Sequence, residues 1–396
     1  MLPLPAPPAP HVRLLLDTLA DPAGCAALDP SAWDLLVRTA RSAKLLGKVA
    51  ARVDAAAMLD RIPEAVAGHL RAALAEARYL RQMSLRQLAG IADTLQPLAA
   101  PMIVLKGSAY IVAGLPCATG RLPRDVDLMV ERHRLDDVER ALLAAGWQFS
   151  KTEEYDQRYY REWSHELPPM RSPALPLELD LHHTILPPIG RLRPDAARLV
   201  ADSLPVAGTA FRVLRPADQL LHSVVHLFQD SDCVNKLRDL VDVDSLARDF
   251  SAQSGEKFWH QVLESAAFHG LGRPLWYALI FCRAWLGTPV AEAVWDEVCR
   301  FRPPALPRSL FVSLAARVLA PVHPDEEAGR VHRSAAAALE FRALWLRMPP
   351  WLLAYHSASK LLRSSGAKSG GRATPTELPR TARGTRPAEN PLGDDL

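Results

Sequence analysis

The sequence predicts a mixed α/β protein, and three features of the apolar pattern support this fold class. Before residue 99 and after residue 216, apolar side chains recur at helical spacing. Between these limits, short apolar or alternating segments end in turns and are separated by helical stretches. We therefore predict an N-terminal helical segment over 11–98, a core over 99–215 and a helical domain over 216–362, with disordered ends at 1–10 and 363–396.

The N-terminal segment is predicted to contain two or more helices. Asp29 or Ser31 is suited to cap a helix that begins near Ala32, because short polar side chains accept hydrogen bonds from the free amides of the first turn. Residues 64–97 are rich in Ala, Leu, Arg and Glu and have no proline before Pro97. This composition favours one long helix or two stacked helices.

The predicted core begins with a short buried strand that ends in a turn. Residues 102–105 are apolar, and Lys106-Gly107-Ser108 follows them as a turn that opens a helix. Acidic and apolar residues then alternate over 125–130, as in a strand that enters a core. A helix is predicted over 133–145, with Gly146 as its end. Further strands are predicted over 147–149, 157–163 and 177–183, and further helices over 217–228, 236–250, 258–269 and 274–286.

Acidic side chains on two of these strands form the first candidate site. Asp125 and Asp127 are separated by one residue, so they project from the same face of a strand. In the next acidic strand, Glu178, Asp180 and His182 also share one face. Because Mg²⁺ prefers carboxylate oxygens beside substrate phosphates, we predict a metal site at Asp125, Asp127 and Asp180, with Glu178 as the second choice for the third acid. By itself, Asp-x-Asp also fits a solvated strand edge or a helix cap.

The second candidate site is the turn at Gly107 and Ser108. A glycine lets the backbone approach a phosphate, the amides at the start of a helix point towards it, and a serine adds a side-chain donor. An ordinary glycine turn with a capping serine has the same residues. The acidic segments that follow favour the phosphate-binding interpretation.

These segments occur in an order that resembles a known family. Lys106-Gly107-Ser108 is followed by Arg121-x-x-Arg124-Asp125-Val126-Asp127, by Leu179-Asp180-Leu181-His182 and by Arg215-Pro216-Ala217-Asp218. Over roughly residues 78–250, the chain is similar to the bacterial uncharacterised nucleotidyltransferase family of the DNA polymerase β-like nucleotidyltransferase superfamily. The resemblance implies a polymerase β-like core with a mixed sheet. The 16 residues between Ser108 and Asp125 form a longer insert than in many members of the superfamily.

The resemblance also implies roles for the candidate residues. Asp125 and Asp127 would bridge two Mg²⁺ ions, with Mn²⁺ as an alternative, and Asp180 would hold the ion that activates an acceptor hydroxyl. Ser108 and the amides near Gly107 would bind the terminal phosphates. Charge that develops on the leaving group would be neutralised by three cations: Lys106, Arg121 and Arg124. For each of these cations, an ordinary surface charge beside acidic residues is the competing interpretation.

The implied reaction is transfer of a nucleotidyl group from a nucleoside triphosphate, which we expect to be ATP, to a hydroxyl of a small molecule, a protein or an RNA. Pyrophosphate would be released. Two other functions remain open, namely a non-catalytic nucleotide- or protein-binding module on the same fold and a metal-dependent phosphohydrolase. The intact Gly-Ser pair and three acids argue against the first, and the lack of further His or Asp ligands in sequence order argues against the second.

Five further polar residues have weaker claims to a role. Lys236 and Arg238 begin a predicted helix from which they could reach substrate phosphates, but a solvated helix face is the favoured interpretation. His182 is expected to support the acidic strand by hydrogen bonding. His222 and His226 are expected to be core or hydrogen-bonded residues rather than metal ligands.

Composition limits the class of protein. A formal net charge of +3 over 396 residues does not indicate a nucleic-acid or anionic-membrane surface, although nucleic acid is not excluded. The five cysteines are scattered and form no CxxC pair, which favours a reducing compartment, and the N-terminus lacks the features of a signal peptide. No uncharged apolar run approaches the ~18 residues that span a bilayer. We therefore expect a cytoplasmic protein without a membrane partner.

Overall fold

The structure is a computed structural model that describes residues 4–229 and 234–355. Its contacts divide the chain into two compact units, Met1–Pro350 and Trp351–Leu396. The second unit is described only over 351–355, which are helical. The predicted disordered tail at 363–396 therefore lies outside the described residues, as do the first three residues of the predicted disordered N-terminus.

Helices form most of the first unit. In chain order they are α1 (Pro10–Ala20), α2 (Pro30–Ser42), α3 (Leu46–Ala55), α4 (Glu64–Leu95), α5 (Lys106–Val112), α6 (Leu135–Ala144), α7 (Glu154–Trp163), α8 (Ala196–Ala201), α9 (Pro216–Gln229), α10 (Leu237–Ser254), α11 (Glu256–Phe268), α12 (Gly272–Phe281), α13 (Glu292–Cys299), α14 (Ala305–Val318) and α15 (Arg330–Arg347). A π-helical turn, Cys282–Leu286, follows α12. Within the residues that the structure describes, no helix is long and apolar enough to cross a membrane.

Two helices of the N-terminal segment can be compared directly with the cap and the helix that the sequence predicted. The Asp29 carboxylate accepts a hydrogen bond of 2.8 Å from the amide of Ala32 and caps α2, so Asp29 rather than Ser31 is the cap. α4 is one continuous helix of 32 residues, not two stacked helices. Leu70 and Ile91 are among its fully buried apolar side chains. The composition of strong helix formers therefore predicted this element correctly.

A mixed sheet of seven strands lies at the centre of the first unit. Its strands are β1 (Met102–Val104), β2 (Asp125–Met129), β3 (Gln148–Phe149), β4 (Met170–Arg171), β5 (Glu178–His182), β6 (Leu204–Pro205) and β7 (Phe211–Val213). They lie in the order β3-β4-β5-β2-β1-β7-β6. β2 pairs with β5 in parallel and with β1 antiparallel, and β1 pairs with β7 in parallel. The mixed sheet and its many helices confirm the predicted α/β fold class.

The central strands alternate acidic and apolar side chains, and this alternation decides which side chains enter the core. Val126 and Leu128 of β2 and Leu179 and Leu181 of β5 are fully buried. The acidic residues of both strands lie between these apolar residues and project from the opposite face. One face of the sheet thus contributes to the core, while the other presents carboxylates.

One predicted strand is wrong, because residues 157–163 lie in α7. Tyrosine and tryptophan favour strands by intrinsic propensity, and this suggested the strand. Contacts between residues four apart stabilise a helix instead. They include the ion pair of Arg158 with Glu162 (3.2 Å) and the ring contact of Tyr159 with Trp163.

The helices predicted after residue 216 are confirmed as α9, α10, α11 and α12. They pack closely, and Phe228, Trp276 and Phe281 are among their fully buried side chains. His222 is also buried, in agreement with the expected core histidine. Because the contacts join Met1–Pro350 into one unit, the predicted domain limits inside this range stay a prediction.

Candidate active site

The parallel pairing of β2 with β5 sets the geometry of the candidate site. Asp127 lies opposite Asp180 in the register, and Asp125 lies opposite Glu178. Paired residues project from the same face of a sheet, so Asp127 and Asp180 are neighbours on the acidic face. Asp127 is buried, Asp180 is half-buried and Asp125 is exposed at the first residue of β2. The site therefore opens towards solvent at Asp125.

Lys106 is the cation in direct contact with this acidic face. It follows β1 and adopts a left-handed backbone conformation, with φ of 46°, which residues with a Cβ rarely adopt. Its Nζ lies 2.7 Å from Oδ1 of Asp127. Burial opposes the charge of Lys106, but the carboxylates of Asp127, Glu166 and Asp125 outweigh that effect and raise the pKa of the ammonium. Lys106 is thus held in its charged form on the buried aspartate.

The carboxylates differ sharply in electrostatic environment. Burial by itself would raise the pKa of Asp127, but Lys106 and a hydrogen bond with His182 hold it well below its usual range. Desolvation, followed by the charges of Glu166, Asp127 and Asp125, raises the pKa of Asp180 well above its usual value. Partial desolvation and the charge of Asp127 also raise the pKa of Asp125. Ionisation of Asp125 and Asp180 is therefore less favourable than that of Asp127.

Glu166 and His165 belong to the site although the sequence pattern did not reveal them. The backbone of Glu166 forms an isolated antiparallel bridge with His182 at the end of β5. Nε2 of His182 lies 3.0 Å from Oδ1 of Asp127 and 3.4 Å from Oε2 of Glu166. His165, Glu166 and His182 offer ligand atoms that all lie within 4.8 Å of one another. The hydrogen bond expected from His182 to the acidic strand is present.

The donor set of this region fits a divalent cation. Carboxylates of Asp125, Asp127, Asp180 and Glu166 act on one another electrostatically, and Lys106 neutralises only part of their charge. Hard cations such as Mg²⁺ bind carboxylate oxygens, and such a cation would relieve the repulsion. The three predicted aspartates do not form a set with all ligand atoms within 4.8 Å, whereas the group with His165 and His182 does.

Glu178, the second choice for the third acid, has other partners. Its Oε1 accepts hydrogen bonds from Oγ of Ser150 and Nε of Arg171, each at 2.8 Å. These residues belong to the β3 and β4 side of the sheet. Burial and then the charges of Glu166 and Asp180 raise the pKa of the Tyr160 hydroxyl in α7.

The residues predicted to bind phosphates have internal contacts. Oγ of Ser108 is buried and donates to the backbone oxygen of Asp125 at 3.2 Å. A Cβ added to Gly107 would lie 1.8 Å from Nη1 of Arg121. Nε of Arg121 donates to Asp242 of α10 at 2.9 Å, so the guanidinium packs between Gly107 and the helical region. Arg124 is exposed beside Asp125.

Asp242 joins three parts of the chain. Nζ of Lys48 in α3 lies 2.9 Å from one carboxylate oxygen, and Arg121 donates to the other. The Lys48, Arg121 and Asp242 side chains are 8%, 10% and 4% exposed, so the three charges are almost fully removed from water. Burial opposes ionisation of Asp242, but Lys48 and Arg121 lower its pKa.

Comparison with protein families identifies the chain. The model of the uncharacterised nucleotidyltransferase family matches residues 29–287, which is more than half of the 396 residues. Comparisons with curated proteins and with solved structures found no match. The match includes the two acidic strands, the turn at Lys106 and the helices from α2 to α12. The chain therefore belongs to the uncharacterised nucleotidyltransferase family, and it is a nucleotidyltransferase enzyme that takes a nucleoside triphosphate.

Proposed function

We propose that the enzyme requires a divalent metal, preferably Mg²⁺ with Mn²⁺ as an alternative, and transfers a nucleotidyl group to a hydroxyl acceptor. ATP is the proposed donor, and the acceptor is a small molecule, a protein or an RNA. The observation that carries the proposal is the parallel pairing that brings Asp127 beside Asp180, with Asp125 at the open end of the same face. The proposal includes the cytoplasmic location expected from the sequence.

Asp125, Asp127 and Asp180 are the proposed ligands of two ions. When bound there, the metal supplies positive charge that neutralises the phosphate oxygens and lowers the pKa of the acceptor hydroxyl. Support comes from the raised pKa values of Asp125 and Asp180, which reflect desolvation and mutual repulsion of carboxylates. His182 orients Asp127 through its hydrogen bond of 3.0 Å.

In the proposed reaction, the acceptor oxygen forms a bond to the α-phosphorus while the bond from that phosphorus to the β-bridging oxygen breaks. Pyrophosphate leaves with the electrons of the broken bond. The acceptor hydroxyl gives its proton to a carboxylate of the acidic face. The positive charge of Lys106, held 2.7 Å from Asp127, stabilises the negative charge that develops on the leaving group during transfer.

Calorimetric titration with each of the four NTPs and Mg²⁺ tests the proposal. The Asp125→Asn/Asp127→Asn double variant is expected to bind nucleotide with metal at least about 100-fold more weakly, because two charged contacts are lost. Glu178→Gln is the matched control, because Glu178 lies on the same sheet but pairs with Ser150 and Arg171. Nucleotide binding that needs neither metal nor the two aspartates, in protein shown to be folded, would sink the proposal.

A further inference from the structure

Four cations lie beside the acidic face, and we call them the basic group: Lys44, Arg124, Lys236 and Arg238. Lys44 lies in the turn between α2 and α3, Arg124 precedes β2, and Lys236 and Arg238 lie at the start of α10. After desolvation, the charges of the other three cations lower the pKa of Lys44, so all four are close in space. Arg124 directly precedes Asp125 in the chain, so the basic group lies next to the open end of the acidic face.

Contacts with Asn235 and with Gly120 hold the turn at Lys44 in place. Nδ2 of Asn235 donates to the backbone oxygen of Ser42 at 2.8 Å. A Cβ on Gly47 would lie 2.3 Å from the carbonyl oxygen of Gly120, so the two glycine backbones touch. The ion pairs of Asp242 with α3 and with the loop before β2 add a third connection. These contacts hold the N-terminal segment in place beside the site.

The four cations of the basic group differ in their ion pairs. Lys236 and Arg238 share the Asp239 carboxylate, at 3.8 Å and 3.1 Å. Within residues 4–229 and 234–355, no ion pair is found for Lys44 or Arg124, and both are exposed. Lys44 is also held in a left-handed backbone conformation, with φ of 58°, which side chains with a Cβ rarely adopt. Exposed cations such as Lys44 and Arg124 suit a multiply charged anion.

We propose that the basic group binds the triphosphate tail of the nucleotide and that Lys44 makes the N-terminal segment part of the nucleotide site. This inference rests on the proposed function and changes the assignment of the phosphate ligands. Lys106, Ser108 and Arg121 contact Asp127, the backbone of Asp125 and Asp242, respectively. The exposed members of the basic group, Lys44 and Arg124, are left to meet the phosphates. Phosphates bound at Arg124 would lie next to Asp125, at the open end of the acidic face.

Binding of inorganic tripolyphosphate without metal tests the basic group separately from the metal chemistry. Lys44→Gln is expected to weaken tripolyphosphate and ATP binding about 10- to 100-fold, the loss of one charge-assisted contact, and to change AMP binding less than about 2-fold. Lys44→Arg should retain most of the affinity. The matched control is Arg41→Gln, which removes an exposed cation at the end of α2, three residues from Lys44.

The outcomes separate this inference from the proposed function. Equal affinities of wild type and Lys44→Gln for tripolyphosphate would overturn the inference, and so would an equal loss in Arg41→Gln. Weakening of AMP and ATP binding by the same factor would also overturn it, because the contact would then not be to the outer phosphates. If tripolyphosphate binding depends on Lys44 but the double aspartate variant retains metal-dependent ATP binding, the inference stands and the proposed metal site fails.

Discussion

Gly107 is expected to be a glycine because Arg121 occupies the space that a side chain would need. A Cβ at this position would lie 1.8 Å from Nη1 and 2.6 Å from Cζ of Arg121, far inside ordinary contact. The guanidinium cannot easily move away, because it is 10% exposed and its Nε donates to Asp242 at 2.9 Å. Gly107→Ala should therefore lower the free energy of unfolding by about 1–3 kcal/mol, as overpacking does in a well-packed interior.

The destabilising effect of Gly107→Ala on the free energy of unfolding should disappear or change sign when Arg121 is removed. In an Arg121→Ala background the added methyl group has room, and alanine is a better helix former than glycine, so Gly107→Ala should be neutral or stabilise by up to about 1 kcal/mol. Gly107 lies in α5 and is not among the glycines with positive φ, so its backbone suits alanine. The coupling between the two substitutions should therefore be about 1–3 kcal/mol.

Urea unfolding of the wild type, both single variants and the double variant, followed by tryptophan fluorescence, measures this coupling. Equal costs of Gly107→Ala in the two backgrounds would refute the steric explanation. In that case, close approach of a phosphate to the backbone would regain support as the reason for glycine. Tripolyphosphate binding by the Gly107→Ala/Arg121→Ala variant would then be the deciding measurement.

Three further predictions concern the buried charges. Asp242→Asn should lower the free energy of unfolding by about 3–5 kcal/mol, because two buried cations lose their anion. Asp249→Asn on the same helix should change the free energy of unfolding by less than about 1 kcal/mol, since burial raises the pKa of that carboxyl. Equal losses of stability for the two variants in urea unfolding would contradict the stabilising role of Asp242. The pKa of Asp242 is lowered in the folded state, so its stabilisation is present above the unfolded pKa of ~3.9 and is lost as pH falls through the folded pKa. The difference between wild type and Asp242→Asn should therefore shrink on acidification, and a difference that stays constant from neutral to strongly acidic pH would argue against it. Lys106→Met should bind Mn²⁺ about tenfold more tightly in calorimetric titration, because the ammonium 2.7 Å from Asp127 repels a second cation; weaker binding would show that Lys106 assists the metal instead.

Local patterns predicted the elements whose side chains alternate clearly. The strands with Asp125 and Asp180 have acidic residues at every second position, and period-two alternation is a direct consequence of strand geometry. The helix cap at Asp29 follows from equally local hydrogen bonding. The segment with Tyr159 was predicted wrongly, because strand propensity was given more weight than contacts between residues four apart.

The missing members of the site depend on contacts between distant parts of the chain. Glu166 lies in a connection after α7 and reaches the acids only because its backbone pairs with His182. Lys44 lies in a turn far from the core in sequence, and tertiary contacts bring it near Arg124. Arg121 was predicted as a phosphate ligand, yet its buried partner Asp242 lies 121 residues further along. No local spacing encodes such pairings.

The shared carboxylate of Asp242 has a consequence for protein engineering and for the divergence of the family. An exchange of the helices after residue 216 between relatives would include α10 and with it Asp242. A chimera that imports α10 without an acid at this position would leave Lys48 and Arg121 as buried cations in the recipient. A chimera should therefore remain stable only when this helix is transferred together with compatible residues at positions 48 and 121. The unit of recombination is larger than the helix itself.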